Sequence, residues 1–329
     1  MGSIDILNLA PTTISKDLRG KYILLYGKPK VGKTTFAAEA PKNLLLAFEK
    51  GYNAISGIMA IDMNTWSDFK KVLKQLRKPE SKEKFDSITI DTIDIMWTLC
   101  EKYICAQAGV ETIGEIEWGK GYAQAKEEFA KVLREITMLG YGLIIIAHVS
   151  TRFEKVADSD DSIEIISPSI QKRPYEIVNP LVDIIGYIDN SFLPNGDTQR
   201  LLRTRATKTL MAGSRFKHLK SPINFGYNEL VEALSQAIDA SVSEDGAIIV
   251  DKTVHNEIAK RPFEDTMAEA GKLWEEIYNK DNDNLKIMTN LVELAFASPM
   301  RLSEATEKNQ DVVEMVIEDL KELSAKQSK

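Results

Sequence analysis

The stretch Gly27-Lys28-Pro29-Lys30-Val31-Gly32-Lys33-Thr34 narrows most sharply what this chain can fold into. Two glycines separated by four residues, followed at once by lysine and a hydroxyl residue, let successive backbone N–H groups converge on a phosphate chain. The lysine supplies a cation for the β and γ oxygens, and the hydroxyl supplies a ligand for magnesium. Such a loop needs a strand before it and a helix after it. Residues 22–26 are an apolar run of strand length, and residues 33–40 are good helix formers. At average residue frequencies the bare pattern arises by chance in on the order of 1% of chains this long, so the flanking elements weigh heavily. The competing reading is a glycine-rich turn with an exposed lysine. The expected phosphate cradle is Gly27, Lys28, Pro29, Lys30, Val31, Gly32, Lys33, Thr34 and Thr35.

Short apolar runs at 22–26, 44–48, 55–61, 88–90 and 143–147 alternate with helical patterns at 33–40, 66–77, 92–108 and 122–139. In the third of these, Ile93, Trp97, Cys100 and Ile104 recur at the helical period. This rhythm predicts a mostly parallel sheet covered by helices. Shorter strands are expected at 163–166, 182–188 and 199–205, with a hairpin turn at Pro194-Asn195-Gly196-Asp197. Beyond residue 240 the pattern predicts a brief strand at 247–250 and three amphipathic helices in a small bundle. The expected organisation is an N-terminal extension (1–20), an α/β core (21–240) and an acidic, mainly helical C-terminal region (241–329).

A magnesium shell needs a carboxylate at the end of a buried strand. Asp91 closes the run that begins at Ser87, in the Walker B position, and would reach the metal through water alongside Thr34. Capping of the following helix is the other role open to Asp91, and Asp94 is a second carboxylate candidate. Glu49 and His148 directly follow apolar strands, where open α/β sheets gather their chemistry. A turn glutamate and a hydrogen-bonded strand-end histidine are their ordinary alternatives.

Charge divides unevenly. Residues 241–329 carry 11 Lys+Arg against 19 Asp+Glu, whereas 1–240 carry 31 against 30. The whole chain, at net −7, is a poor nonspecific polyanion binder, but its near-neutral core can present a local basic face. Cys100 and Cys105 have no metal-binding spacing, and His148, His218 and His255 are scattered. No apolar run approaches the roughly 18 residues of a membrane span, and the cysteines suit a reducing cytoplasm, that of the host for a phage-encoded chain.

Taken in order, "GKPKVGKT", "LLLAFEKG", "ITIDTID", "WGKGY", "LIIIAHVS" and "RTRATKTLMAGSRF" resemble the RecA/RadA-like P-loop ATPases, and more closely the phage-type AAA-domain single-strand recombination ATPases, over roughly residues 20–230. The resemblance implies a RecA-like core that hydrolyses ATP with Mg2+. It implies Glu49 as the base for water and His148 as the γ-phosphate sensor, where recombinases usually place glutamine. It further implies a DNA loop after the sensor strand, over 150–175, where the contacts would fall to Arg152, Lys155, Lys172 and Arg173 because Asp158, Asp160 and Asp161 repel phosphate. Tyr52 is a candidate to stack on the base.

From Arg200 to Lys220 there are seven basic residues and no acid. Arg203, Arg205, Lys208, Arg215 and Lys217, with Phe216 interleaved, suit either single-stranded DNA or the ATP of a neighbouring subunit; a solvated face is the third reading. The acidic tail could compete with DNA for this surface.

The function expected is a magnesium-dependent, DNA-stimulated ATPase that binds single-stranded DNA and promotes annealing or strand exchange in phage-type homologous recombination. Lys33, Glu49, Asp91 and His148 would be its catalytic residues, and a homo-oligomer (filament or ring) and a single-strand-binding protein its partners, with no membrane. The alternatives are a nucleotide-gated adaptor, such as a loader or packaging partner, and a small-molecule phosphotransferase. Lys33→Ala is expected to lower ATP turnover by about 100-fold or more, the scale of losing one charge-stabilising group; steady-state phosphate release measures it, and full turnover would remove the phosphate-cradle reading.

Overall fold

The computed structural model describes residues 13–155, 162–245, 248–250, 262–280 and 284–326. In chain order its elements are β1 (Thr13–Ser15), β2 (Tyr22–Gly27), α1 (Lys33–Glu39), β3 (Asn43–Ala47), β4 (Met59–Asp62), α2 (Trp66–Leu76), α3 (Pro79–Lys84), β5 (Ser87–Asp91), α4 (Ile93–Ala108), α5 (Lys120–Met138), β6 (Gly142–Lys155), β7 (Ser162–Pro168), α6 (Lys172–Leu181), β8 (Ile184–Phe192), β9 (Thr198–Arg203), β10 (Gly213–Ser214), β11 (Ile223–Asn224), α7 (Tyr227–Asp245), β12 (Ile248–Val250), α8 (Phe263–Lys280), α9 (Asn284–Phe296) and α10 (Gln310–Lys326). The chain divides into two compact units, one over Ala10–His255 and one containing Asn256–Lys329. α7 runs through residue 240 without a break.

A ten-stranded sheet organises the larger unit, in the order β11-β9-β8-β2-β6-β5-β3-β4, with β10 on β8 and β7 on β6. The six strands from β8 to β4 pair in parallel, whereas β9, β11, β10 and β7 pair antiparallel. This is the mostly parallel, helix-flanked α/β architecture that the alternation predicts. β6 lies between β2 and β5, so the phosphate-loop strand and the Asp91 strand are separated by the strand that ends the core at His148.

Strand alternation distributes the apolar run over two cores. Leu24, Tyr26, Leu46, Ile88, Ile90, Leu143 and Ile145 face one, which α2, α4 and α5 close with Trp66, Phe69, Trp97 and Phe129. Ile23, Leu25, Ile144, Ile146 and Ile184 face the other, closed by Phe36 of α1 and by Leu230, Leu234 and Ile238 of α7.

Local pattern and structure differ in several places. The run at 55–61 becomes a strand only at Met59–Asp62, because β4 is an edge strand paired on one side with β3. α3, a turn opened by Pro79 with no buried residue, left no apolar period to read. β6 continues past residue 147 to Lys155 and pairs with β7, so the described part of the expected 150–175 loop is a hairpin followed by the start of α6. Asp158, Asp160 and Asp161 lie outside the described residues, as do His255 and Ala247 of the expected strand. The turn at 193–197 does join β8 to β9 as a hairpin.

Within the C-terminal unit, α8, α9 and α10 bury Ile277, Met288, Val292, Val316 and Leu320 against one another. No helix among the described residues is long and apolar enough to cross a membrane.

Phe129 is fully buried, with its ring centroid 5.2 Å from that of Trp97 and 6.2 Å from that of Trp66. Phe129→Ala is expected to destabilise the larger unit by about 3–5 kcal/mol, read from the urea midpoint of tryptophan fluorescence.

Candidate functional site

The loop between β2 and α1 is built on glycines that no other residue replaces freely. A Cβ on Gly27 would lie 2.9 Å from the Ile188 carbonyl oxygen and 3.2 Å from Val31 Cγ1. Gly32 has φ 100°, in the left-handed region that side chains disfavour. Lys33 is buried, and its Nζ donates to the carbonyls of Gly27 at 2.8 Å and Lys28 at 2.9 Å. Burial pushes its pKa down, while Asp91, Glu49 and Asp94 oppose that shift. Lys28, Pro29, Lys30 and Thr35 are exposed around it, whereas Val31 is buried.

β5 carries Asp91 to the same place. It pairs with Ala47 of β3 on one side and Ile146 of β6 on the other and is 5% exposed. Thr34 Oγ1 donates to Asp91 Oδ2 at 2.7 Å. The N-cap of α4 is Thr92, so Asp91 does not cap the helix. Burial raises the Asp91 pKa; the Thr34 hydrogen bond, Lys33 and His148 counter that rise, and Glu49 adds to it. A buried carboxylate hydrogen-bonded to a hydroxyl is a pair of hard oxygen donors, which fits a magnesium ion brought with nucleotide phosphates.

The Asp91 carbonyl accepts the backbone N–H of Phe48 at 2.7 Å and of Glu49 at 3.0 Å, which fixes the chain leaving β3 against the end of β5. Glu49 Oε2 and His148 Nε2 then lie 3.0 Å apart, both partly exposed. His148 stands opposite Gly27 in the β2–β6 register. Lys33, Thr34, Asp91, Glu49 and His148 thus converge at the ends of four strands and the start of α1. Asp94 accepts from Ser169 Oγ at 2.8 Å, and Thr34 pairs with Asp91 instead.

The basic segment is largely engaged within the chain. Arg203 Nε donates to Asp189 Oδ2 at 3.1 Å, and Arg205 Nη2 donates to the carbonyls of Phe216, Lys217 and Leu219. Arg215 bonds Asp183 and the Pro180 carbonyl, and Lys217 bonds Glu244 at 2.6 Å. Lys208 is exposed. Phe216 is not an open stacking ring, because it packs against the core beneath α7. Tyr52 donates its hydroxyl to Asp62 at 2.7 Å. On the hairpin, Phe153 is 71% exposed and Lys155 is exposed; on α6, Arg173 lies over the Tyr122 ring at 3.9 Å. A cleft of about 340 Å³ between α4 and α5, lined by residues such as Gln107, Glu127 and Lys131, shares no residue with this site.

Arg200 is the residue that local pattern did not single out. Its Nη1 donates to the Val31 carbonyl at 3.3 Å and stands 2.5 Å from where a Cβ on Gly32 would be. It reaches the loop from β9, 169 residues away in sequence, and no spacing signal reports such a contact.

Thr34→Ala, which removes one hydrogen bond to a charged group, is expected to weaken magnesium-dependent nucleotide binding by about 10- to 100-fold. Titration of a fluorescent ATP analogue with and without magnesium reads the loss, and equal affinities would remove Thr34 from the metal shell.

Comparison with known proteins gives a relative and a family. SPbeta prophage-derived uncharacterized protein YorG of Bacillus subtilis (strain 168) is 27% identical over 336 residues, covering 98% of this chain and 99% of that protein. A family model described as AAA domain matches residues 19–216, which contain the phosphate loop, Glu49, Asp91 and His148. With that match over more than half its length, the chain belongs to the AAA-domain family of nucleotide-binding P-loop NTPases.

Proposed function

We propose that the chain is a magnesium-dependent ATPase of RecA/RadA-like type that binds single-stranded DNA and promotes annealing or strand exchange in phage-type homologous recombination. The observation that carries the reading is the Glu49–His148 contact at 3.0 Å, on neighbouring strand ends beside Thr34 and Asp91. Glu49 Oε2 is the acceptor for the proton of an attacking water, and His148 holds that carboxylate in place. Lys33 and the loop amides hold the triphosphate; Thr34, and Asp91 through water, would hold a magnesium ion, which would supply positive charge against the phosphates. As water oxygen bonds to the γ-phosphorus, the bond to the ADP oxygen breaks and the proton passes to Glu49.

β6 runs without interruption from the sensor position at His148 into the hairpin that bears Phe153 and Lys155. Exposed aromatic rings there and at Trp118, 89% exposed, suit stacking on unpaired bases, with basic residues following the backbone. The prophage origin in the relative's name fits a phage role. A homo-oligomer, filament or ring, would let Lys208 and its basic neighbours meet DNA or the ATP of the next subunit, and a single-strand-binding protein would be a partner.

The engagement of Arg203, Arg205, Arg215 and Lys217 within the chain favours a second reading, a nucleotide-gated adaptor for DNA metabolism that does not itself grip DNA. ATP turnover with and without single-stranded DNA separates the two. Stimulation of about tenfold or more, a barrier change near 1.4 kcal/mol, is expected and should weaken as salt rises. Turnover indifferent to DNA would support the adaptor, and transfer of phosphate to a small acceptor would support a phosphotransferase.

A further inference from the structure

Just past β3 the chain carries a lysine whose charge nothing answers. Lys50 is exposed, and no hydrogen bond or ion pair engages it among the described residues. It is the apex of a tight turn, closed over three residues by the Gly51 N–H donating to the Glu49 carbonyl at 2.9 Å. The turn is fastened on both sides. Before it, the N–H groups of Phe48 and Glu49 both bond the Asp91 carbonyl; beyond it, the Tyr52 hydroxyl donates to Asp62, the last residue of β4, at 2.7 Å. Both neighbours of Lys50 belong to the candidate site. Glu49 Oε2 meets His148 Nε2 at 3.0 Å, and a Cβ on Gly51 would stand 3.7 Å from Thr34 Oγ1. Glycine at 51 thus keeps the space beside the Thr34 hydroxyl open. That space is rich in negative charge: Asp91, Glu49 and Asp94 all act on Lys33, the buried cation of the loop, and a triphosphate adds more negative charge than one magnesium ion cancels.

We propose that Lys50 is a further catalytic residue: its ammonium donates to a γ-phosphate oxygen and offsets the charge that gathers there and on the leaving ADP oxygen as the phosphorus–oxygen bond breaks. This rests on the ATPase reading above and adds, to the cation supplied by the loop, a second one from the β3 end of the sheet. A lysine suits the place because its flexible four-carbon stem lets the ammonium follow the phosphoryl group as it moves. No covalent step passes through it. Glu49 takes the proton of the attacking water, while Lys50 contributes charge and a hydrogen bond. Base and cation are successive residues of one fastened turn, so a single piece of backbone sets where water attacks and where charge is neutralised.

Lys50→Met in the full chain, which keeps a long stem and removes the charge at an exposed position, tests the assignment. Steady-state phosphate release is measured beside equilibrium binding of a non-hydrolysable ATP analogue and of ADP, each with magnesium. Turnover is expected to fall by about 100-fold, the scale of losing one group that stabilises developing charge. Affinity for the analogue should fall by about tenfold, while that for ADP, which has no γ-phosphate, stays within about threefold of wild type. Retained ADP binding also shows that the variant folds. Turnover of Lys50→Met within about threefold of wild type, or an unchanged preference for the analogue over ADP, overturns the role of Lys50 alone. A wild type that binds no magnesium nucleotide, or that releases no phosphate, overturns the ATPase reading and this inference with it.

Discussion

Asp91 brings a charge to the rim of a dry core, and the candidate site follows from how that charge is held. Its strand is buried along its whole length, so desolvation weighs on the carboxylate and the Thr34 hydroxyl and the Lys33 ammonium answer it. Both partners are in reach because β5 and β2 end within two residues of each other across β6. Parallel pairing supplies that alignment: Gly27 is level with His148, and Asp91 with Ile146, two residues earlier on the same strand. The same carbonyl end of β5 anchors the backbone of Glu49. Sheet register, more than any single contact, therefore decides which side chains meet.

The two cores play different parts in holding that register. Beneath α2, α4 and α5 the large rings of Trp66, Phe69, Trp97 and Phe129 fill the wider layer. On the opposite side α1 and α7 cover the sheet, and Phe36 of α1 stacks on Phe225, just past β11, with ring centroids 5.5 Å apart. The helix that begins at Lys33 is thereby fixed to the antiparallel part of the sheet as well as to the parallel part. Arg200 reinforces the arrangement from β9, placing a guanidinium against the loop carbonyl of Val31.

What could be read in advance divides along a physical line. Gly27, Gly32, Lys33 and Thr34 were legible because one loop's chemistry needs them at fixed covalent spacing. Asp91, Glu49 and His148 were legible as candidates because each ends an apolar run, and parallel strands gather their ends on one side. The hairpin of β6 and β7 was only half visible: Ile163 to Ile166 signalled a strand, but its pairing with residues beyond 148 depends on contacts across the turn. The basic segment was only partly legible. Its arginines are conspicuous in sequence, while Asp189, Asp183 and the carbonyls that receive them are scattered through other elements. Asp94 looked like a spare carboxylate for the metal until Ser169, 75 residues later, proved to be its partner.

The two margins of the large sheet bear on how copies of the chain can associate. β4, on one side, is four residues long, and β11, on the other, is two. Ladders so brief offer a neighbouring molecule almost no unpaired backbone to extend. Extension of the sheet by strand templating is thereby discouraged at these two margins, where complementary side-chain surfaces are the remaining means of contact and substitutions can tune them without disturbing the sheet.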